Sequence, residues 1–201
     1  METNYLNRNS ISNFTHELIH NLKTLELGIS DKEDTKRVKE TIANIAVNNN
    51  YNVWASRLEK KTNNESQISG KEWLYDLICY KFKNGCHYSL NETILVMESE
   101  WGGKRFKVED ADDPYGEVKF DFQKLLISNA FVKLMVYRQH KADVYAYGNK
   151  DLYSYFQNRI DNNRQITENS IFIFAEFSYK KEGKRRCRLF SYSKNGEWKE
   201  Y

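Results

Sequence analysis

The chain has 201 residues, of which 40% are hydrophobic and 29% charged, with a formal net charge of +3. A chain of this size and balance buries a core without needing disulfides or a structural metal, and so small a charge does not by itself call for a polyanionic partner. Three cysteines, Cys79, Cys86 and Cys187, form no CxxC pair and suit a reducing compartment, and no run approaches the roughly 18 apolar residues of a membrane span.

In chain order, Ser12 to about Leu27 places Phe14, Leu18, Ile19, Leu22 and Leu25 at helical spacing, with Gly28 as a stop. A second helix is expected from Asp31 to about Val47, opened by Asp31, Glu33 and Asp34 as the helix dipole prefers. Strands are expected at Tyr51–Arg57, Glu72–Phe82 and Thr93–Trp101, with a polar loop at Lys60–Gly70 and a turn at Asn84-Gly85. Gly102–Gly116 holds an acidic cluster and the sole proline, and reads as an exposed loop. A helix over Phe120–Ser128, a strand over Phe131–Arg138 and a helix over Lys150–Ile160 follow. Ile171–Tyr179 and Cys187–Tyr192 close the chain as a hairpin. The 14% aromatic content suits a sizeable sheet. The expected fold class is α/β in the mixed α+β sense: one domain over 1–201, with a central mixed sheet, flanking helices, and 1–30 as a helical N-terminal extension. The segment METNYLNRNS has no basic region followed by an apolar stretch, so a cytoplasmic protein is expected.

Three acids stand where strands normally carry apolar residues. Asp76 lies within WLYDLICY, and Glu98 and Glu100 end ILVMESEW. Side-chain alternation puts Glu98 and Glu100 on one face with Val96, and pairing of the two strands brings Asp76 near them. Clustered carboxylates repel unless a cation or a proton intervenes, and hard ions such as Mg²⁺ or Mn²⁺ favour all-oxygen surroundings. On the next helix Asp121 and Lys124 share a face, so the lysine can meet a phosphate beside the acids.

With WLYD, MESEW and DFQKL in this order, the chain resembles the PD-(D/E)XK nuclease superfamily, whose core is helix, three strands, helix, strand. The resemblance covers about residues 31–140 and implies a restriction-endonuclease-like core and Mg²⁺-dependent (or Mn²⁺-dependent) hydrolysis of phosphodiesters, in DNA by preference. Asp76, Glu98 and Glu100 would be the metal ligands. Glu100 stands where the signature lysine is expected, and Lys124 is the relocated lysine. Glu40, on the helix before the first strand, is the assisting carboxylate, and Asp121 is a supporting acid. A homodimer acting on duplex DNA is one arrangement open to a chain of this size.

Lys180, Lys181, Lys184, Arg185, Arg186 and Arg188 crowd the last hairpin, either gripping nucleic-acid phosphates or protecting a sheet edge with charge. Tyr179 and Tyr192 either stack on bases or pack within their strands. Two alternative functions stand beside the nuclease. One is a non-catalytic nucleic-acid- or protein-binding module on the same fold. The other is a zinc metallopeptidase built on His16-Glu17-Leu18-Ile19-His20, with Glu40 as a guessed third ligand. His87 and His140 stand alone and read as surface or packing residues.

Overall fold

The computed structural model describes residues 8–58, 68–69, 74–82, 90–101, 113–139, 150–178 and 185–201. Two amphipathic helices come first, α1 (Arg8–Thr24) and α2 (Asp31–Asn48). The expected stripe of α1 is inside: Phe14, Leu18 and Leu22 are fully buried. Gly28 takes φ 133°, a conformation glycine reaches without strain, and its N–H meets Asp34 Oδ1 at 2.9 Å. Ser30 caps α2 by accepting from the Glu33 N–H at 3.2 Å, and three acids follow in the first turn. Asn50, with φ 58°, turns the chain out of the helix.

The strands are β1 (Asn52–Ala55), β2 (Ile68–Ser69), β3 (Leu77–Phe82), β4 (Leu90–Glu100), β5 (Val132–Arg138), β6 (Ile171–Phe177), β7 (Cys187–Ser193) and β8 (Lys199–Glu200). They form one eight-stranded mixed sheet among the described residues, in the order β2-β1-β3-β4-β5-β6-β7-β8. β1, β3 and β4 make an antiparallel meander, β4, β5 and β6 run parallel, and β7 and β8 return antiparallel. The two parallel steps need crossovers. α3 (Gly116–Leu126) lies between β4 and β5 in sequence, and α4 (Lys150–Asp161) between β5 and β6.

Alternation along the strands feeds two cores. Met97, Leu134, Val136, Ile173 and Ala175 face α1 and α2. Val96, Met135, Phe172 and Phe174 face α3 and α4, where Phe122 and Phe156 pack with ring centroids 4.5 Å apart. α1 shares its core with the sheet through Leu18, Leu22 and Leu189. Truncating any of these fully buried leucines to alanine costs about 2–5 kcal/mol. Among the described residues no helix is long and apolar enough to cross a membrane.

Several boundaries differ from the sequence reading. α1 runs from Arg8 to Thr24 and not from Ser12 to Leu27, and α3 starts at Gly116, inside the expected loop, and not at Phe120. β3 starts at Leu77, so Asp76 stands at the mouth of the strand and not within it. β4 starts at Leu90, three residues early, because Asn91 and Glu92 are polar and interrupt the apolar strand signal. β2 and β8, two residues each, were too short to show any period.

Candidate functional site

The site forms where β3 begins and β4 ends. The β3–β4 ladder stops at Leu77 and Met97, and beyond it the side chain of Asp76 continues the pairing. Asp76 Oδ2 accepts from the Ser99 N–H at 2.9 Å and from Ser99 Oγ at 2.7 Å. Oδ1 accepts from Lys39 Nζ at 2.9 Å and from Ser56 Oγ at 3.3 Å. The Asp76 carbonyl accepts from the Ser56 N–H at 3.0 Å, which ties the start of β3 to the end of β1. Lys39 comes from α2 and is 4% exposed, and its ammonium also reaches Ser56 Oγ at 2.7 Å. Burial pushes the Asp76 carboxyl up, but the Lys39 charge and the bonds from Lys39 and Ser99 outweigh it and hold the group below its ordinary value.

Glu98 sits one residue before Ser99 and points to the opposite face, toward α3. It is 3% exposed. Lys124 Nζ donates to Glu98 Oε2 at 3.3 Å and pairs with Asp121 Oδ1 at 2.7 Å, three residues earlier on the same helix face. The Tyr75 hydroxyl donates to the Lys124 carbonyl at 3.3 Å, fastening α3 beside the strand mouth. Glu98 Oε1 is buried and has no hydrogen-bond partner. Burial, then repulsion from Asp76, push the Glu98 carboxyl up to about 8; Lys124 opposes this, and Asp121 adds to it. For Lys124, burial lowers the ammonium, but the bond and charge of Asp121 and the charge of Glu98 outweigh it, leaving the group raised.

Two bonded groups therefore meet at this strand end, Asp76 with Lys39 on one face and Glu98 and Asp121 with Lys124 on the other, so that three carboxylates stand against two ammonium groups. One negative charge is left over, and it falls on the most buried of the acids. A proton on Glu98 removes that excess, and so does a cation at Oε1. Glu100 follows on the same face of β4, half-buried and in register with Tyr137.

A hard divalent ion takes carboxylate oxygens. Glu98 fits one, because a buried oxygen there lacks any donor. Asp76 does not, since both its oxygens already accept two hydrogen bonds, about the capacity of a carboxylate. Among the described residues no three acids, histidines or cysteines converge as a metal-binding group.

The remaining expected residues are dispersed. Glu40 lies on the outer side of α2, 4.0 Å from Lys36; its neighbour Lys39 is the residue of that helix which enters the site. Lys180, Lys181 and Lys184, with Tyr179, His87 and His140, lie outside the described residues. Arg185 is buried against Asp34 at 2.8 Å and against Asp31, so it does not present its charge to a ligand surface. Arg186 is exposed. Arg188, half-exposed, pairs with Glu200 at 3.2 Å and lies over the Phe190 ring. Tyr192 is a core residue whose hydroxyl donates to Asp161. His16 and His20 both face solvent, and Glu17 accepts from Asn49 Nδ2 at 2.9 Å.

Lys39, Ser56, Ser99 and Tyr75 were not anticipated. Lys39 did leave a signal, because it falls on the buried stripe of α2 with Val38, Ile42 and Ala43. Ser99 left one too, as a hydroxyl between Met97 and Trp101 on the apolar face of β4. Comparison of the chain with protein-family models, with curated proteins and with solved structures finds no match.

Proposed function

We propose that this protein is a metal-dependent nuclease that hydrolyses phosphodiester bonds, with DNA as its substrate. The observation carrying this reading is Glu98: a buried carboxylate with one unpartnered oxygen, bonded through the other to Lys124. Its setting supports the reading. Helix α2, the meander β1, β3 and β4, helix α3 and the parallel strand β5 come in the order of the PD-(D/E)XK core, with the two-residue edge strand β2 inserted between β1 and β3. Asp76 opens the second strand of that meander, Glu98 ends the third, and Lys124 lies on the following helix.

In this account Glu98, whose Oε1 lacks a donor, would hold Mg²⁺ or Mn²⁺, and Glu100 would orient the attacking water or share the ion. When bound, the ion supplies an acidified water and positive charge at the phosphate. Lys124 donates to Glu98 and pairs with Asp121, which leaves one N–H that would stabilise developing charge on a phosphate. Asp121 holds the lysine in that orientation.

The test is cleavage of end-labelled duplex and single-stranded DNA and RNA in Mg²⁺ or Mn²⁺ by wild type, Glu98→Gln and Lys124→Met. Wild-type cleavage of DNA is expected, with at least a ~100-fold loss in each variant, the scale of removing one preorganised electrostatic contact. Undiminished cleavage by Glu98→Gln sinks the proposal. One observation favours the second reading, a non-catalytic binding module: Asp76 is fully occupied by protein donors. That reading expects nucleic-acid binding without cleavage, unchanged by Glu98→Gln.

A further inference from the structure

The two acids at this sheet end are treated differently, and the difference assigns them different work. Four donors surround Asp76: Lys39 Nζ and Ser56 Oγ at one oxygen, Ser99 N and Oγ at the other. They come from α2, from the segment after β1 and from β4, so this carboxylate joins three elements. Ser99 is the informative partner. Its side chain faces away from Glu98, yet both its polar groups bind Asp76, so the backbone of β4 is pinned one residue beyond Glu98. The pin falls where the β3–β4 ladder has ended; β5 still pairs with β4 on its other edge through Glu100, so Asp76 supplies the hold on the β3 side alone.

We infer that Asp76 is a positioning residue, held by Lys39 and acting through Ser99 to set Glu98 against Lys124, and that it is not a ligand of the ion. The inference rests on the reading of Glu98 as the acid that carries the ion, but its structural half stands without that reading. A metal-ligand acid without its metal repels its neighbours, so neutralising it stabilises the metal-free protein. A strut behaves in the opposite way, because its removal leaves the nearly buried Lys39 without its carboxylate partner.

Thermal unfolding in EDTA separates the two. Asp76→Asn and Lys39→Met are each expected to lower Tm by about 5–10 °C, and the double variant to fall little further than the worse single one. The second arm is calorimetric titration with Mn²⁺. Ser99→Ala leaves every acid in place and removes a hydroxyl that cannot touch an ion at Glu98. It is expected to weaken Mn²⁺ binding several-fold while the protein stays folded, and Lys39→Met is expected to act in the same direction.

A rise in Tm for Asp76→Asn overturns the inference. So does tighter Mn²⁺ binding in Lys39→Met or Ser99→Ala, because freeing a ligand from a competing donor has that effect. Absence of any Mn²⁺ heat in wild type overturns the nuclease reading instead, and the sign of the Asp76→Asn shift then decides the strut alone.

Discussion

Two charge clusters lie near the same end of the sheet, and among the ion pairs of the described residues only one is balanced. In the first, Arg185 Nε donates to Asp34, which is fully buried and also accepts from the Gly28 and Ile29 N–H groups at 2.9 and 3.3 Å. The same guanidinium reaches Asp31, which Arg138 also holds at 3.0 Å. Two arginines meet two aspartates, and the cluster staples the start of α2 to the last hairpin across more than 150 residues of sequence. In the second cluster three carboxylates meet two lysines, and the unmatched charge sits on Glu98. The first cluster holds segments together with its charges matched, although Arg185 Nη1, like Glu98 Oε1, is buried without a hydrogen-bond partner. An unbalanced cluster is incomplete until a proton or a cation arrives, and that is the physical basis for placing chemistry at Glu98.

The comparison breaks most visibly at Arg185. Arg185→Met leaves Asp34 buried and unpaired, and is expected to cost about 3–5 kcal/mol in urea-induced unfolding. If the loss is under about 1 kcal/mol, the staple is not what holds the hairpin to α2.

Glu98→Gln is expected to go the other way. Burial and the charge of Asp76 push the folded-state carboxyl up to about 8, against an ordinary value of 4.5. Between those values the folded protein keeps a proton that the unfolded chain has lost, so stability falls as pH rises through the window. The glutamine variant escapes that decline. In EDTA its advantage over wild type should be near zero at pH 5 and grow to about 2–3 kcal/mol at pH 9, allowing for relaxation of the buried group. An advantage independent of pH means that Glu98 is already neutralised by its neighbours.

Asp76 has the opposite sign. Its lowered carboxyl contributes stability above the unfolded value, and that contribution is lost as pH falls through the lower folded one. Asp76→Asn therefore flattens the acid limb of a stability profile. The smallest effect is expected at Arg188, whose side chain is 53% exposed where it pairs with Glu200. Arg188→Ala should change stability by less than about 1 kcal/mol.

Much of the scaffold was legible because periodicity reports burial. α2 begins at Asp31 as expected and ends one residue later than expected; α4 begins at Lys150 and likewise runs one residue further. β6 and β7 begin at Ile171 and Cys187, as expected. The edge strands β2 and β8 were invisible, since two residues carry no period and take their pairing from the neighbouring strand. Asp76 looked like a mid-strand acid because apolar residues flank it, whereas its four bonds require the chain to leave the ladder there.

At the site, the acids could be read and their partners could not. Glu98 and Lys124 stand out by type in the sequence, and the structure bonds them. Which lysine of α2 would turn inward depends on where the end of β1 delivers Ser56, a tertiary fact that no local pattern carries. The same limit applied to Arg185. In sequence it belongs to a basic cluster, but its own backbone pairs with Leu27 and draws its side chain into the fold.

The most direct test of the unbalanced site is calorimetric titration of wild type and Glu98→Gln with Mn²⁺ at pH 7, repeated in two buffers of different ionisation enthalpy. At that pH Glu98 holds its proton, and an ion at Oε1 must displace it. Binding with release of about 1 proton per ion is expected in wild type, and no binding in the variant. Equal binding in both proteins, or binding that releases no proton, would contradict that expectation.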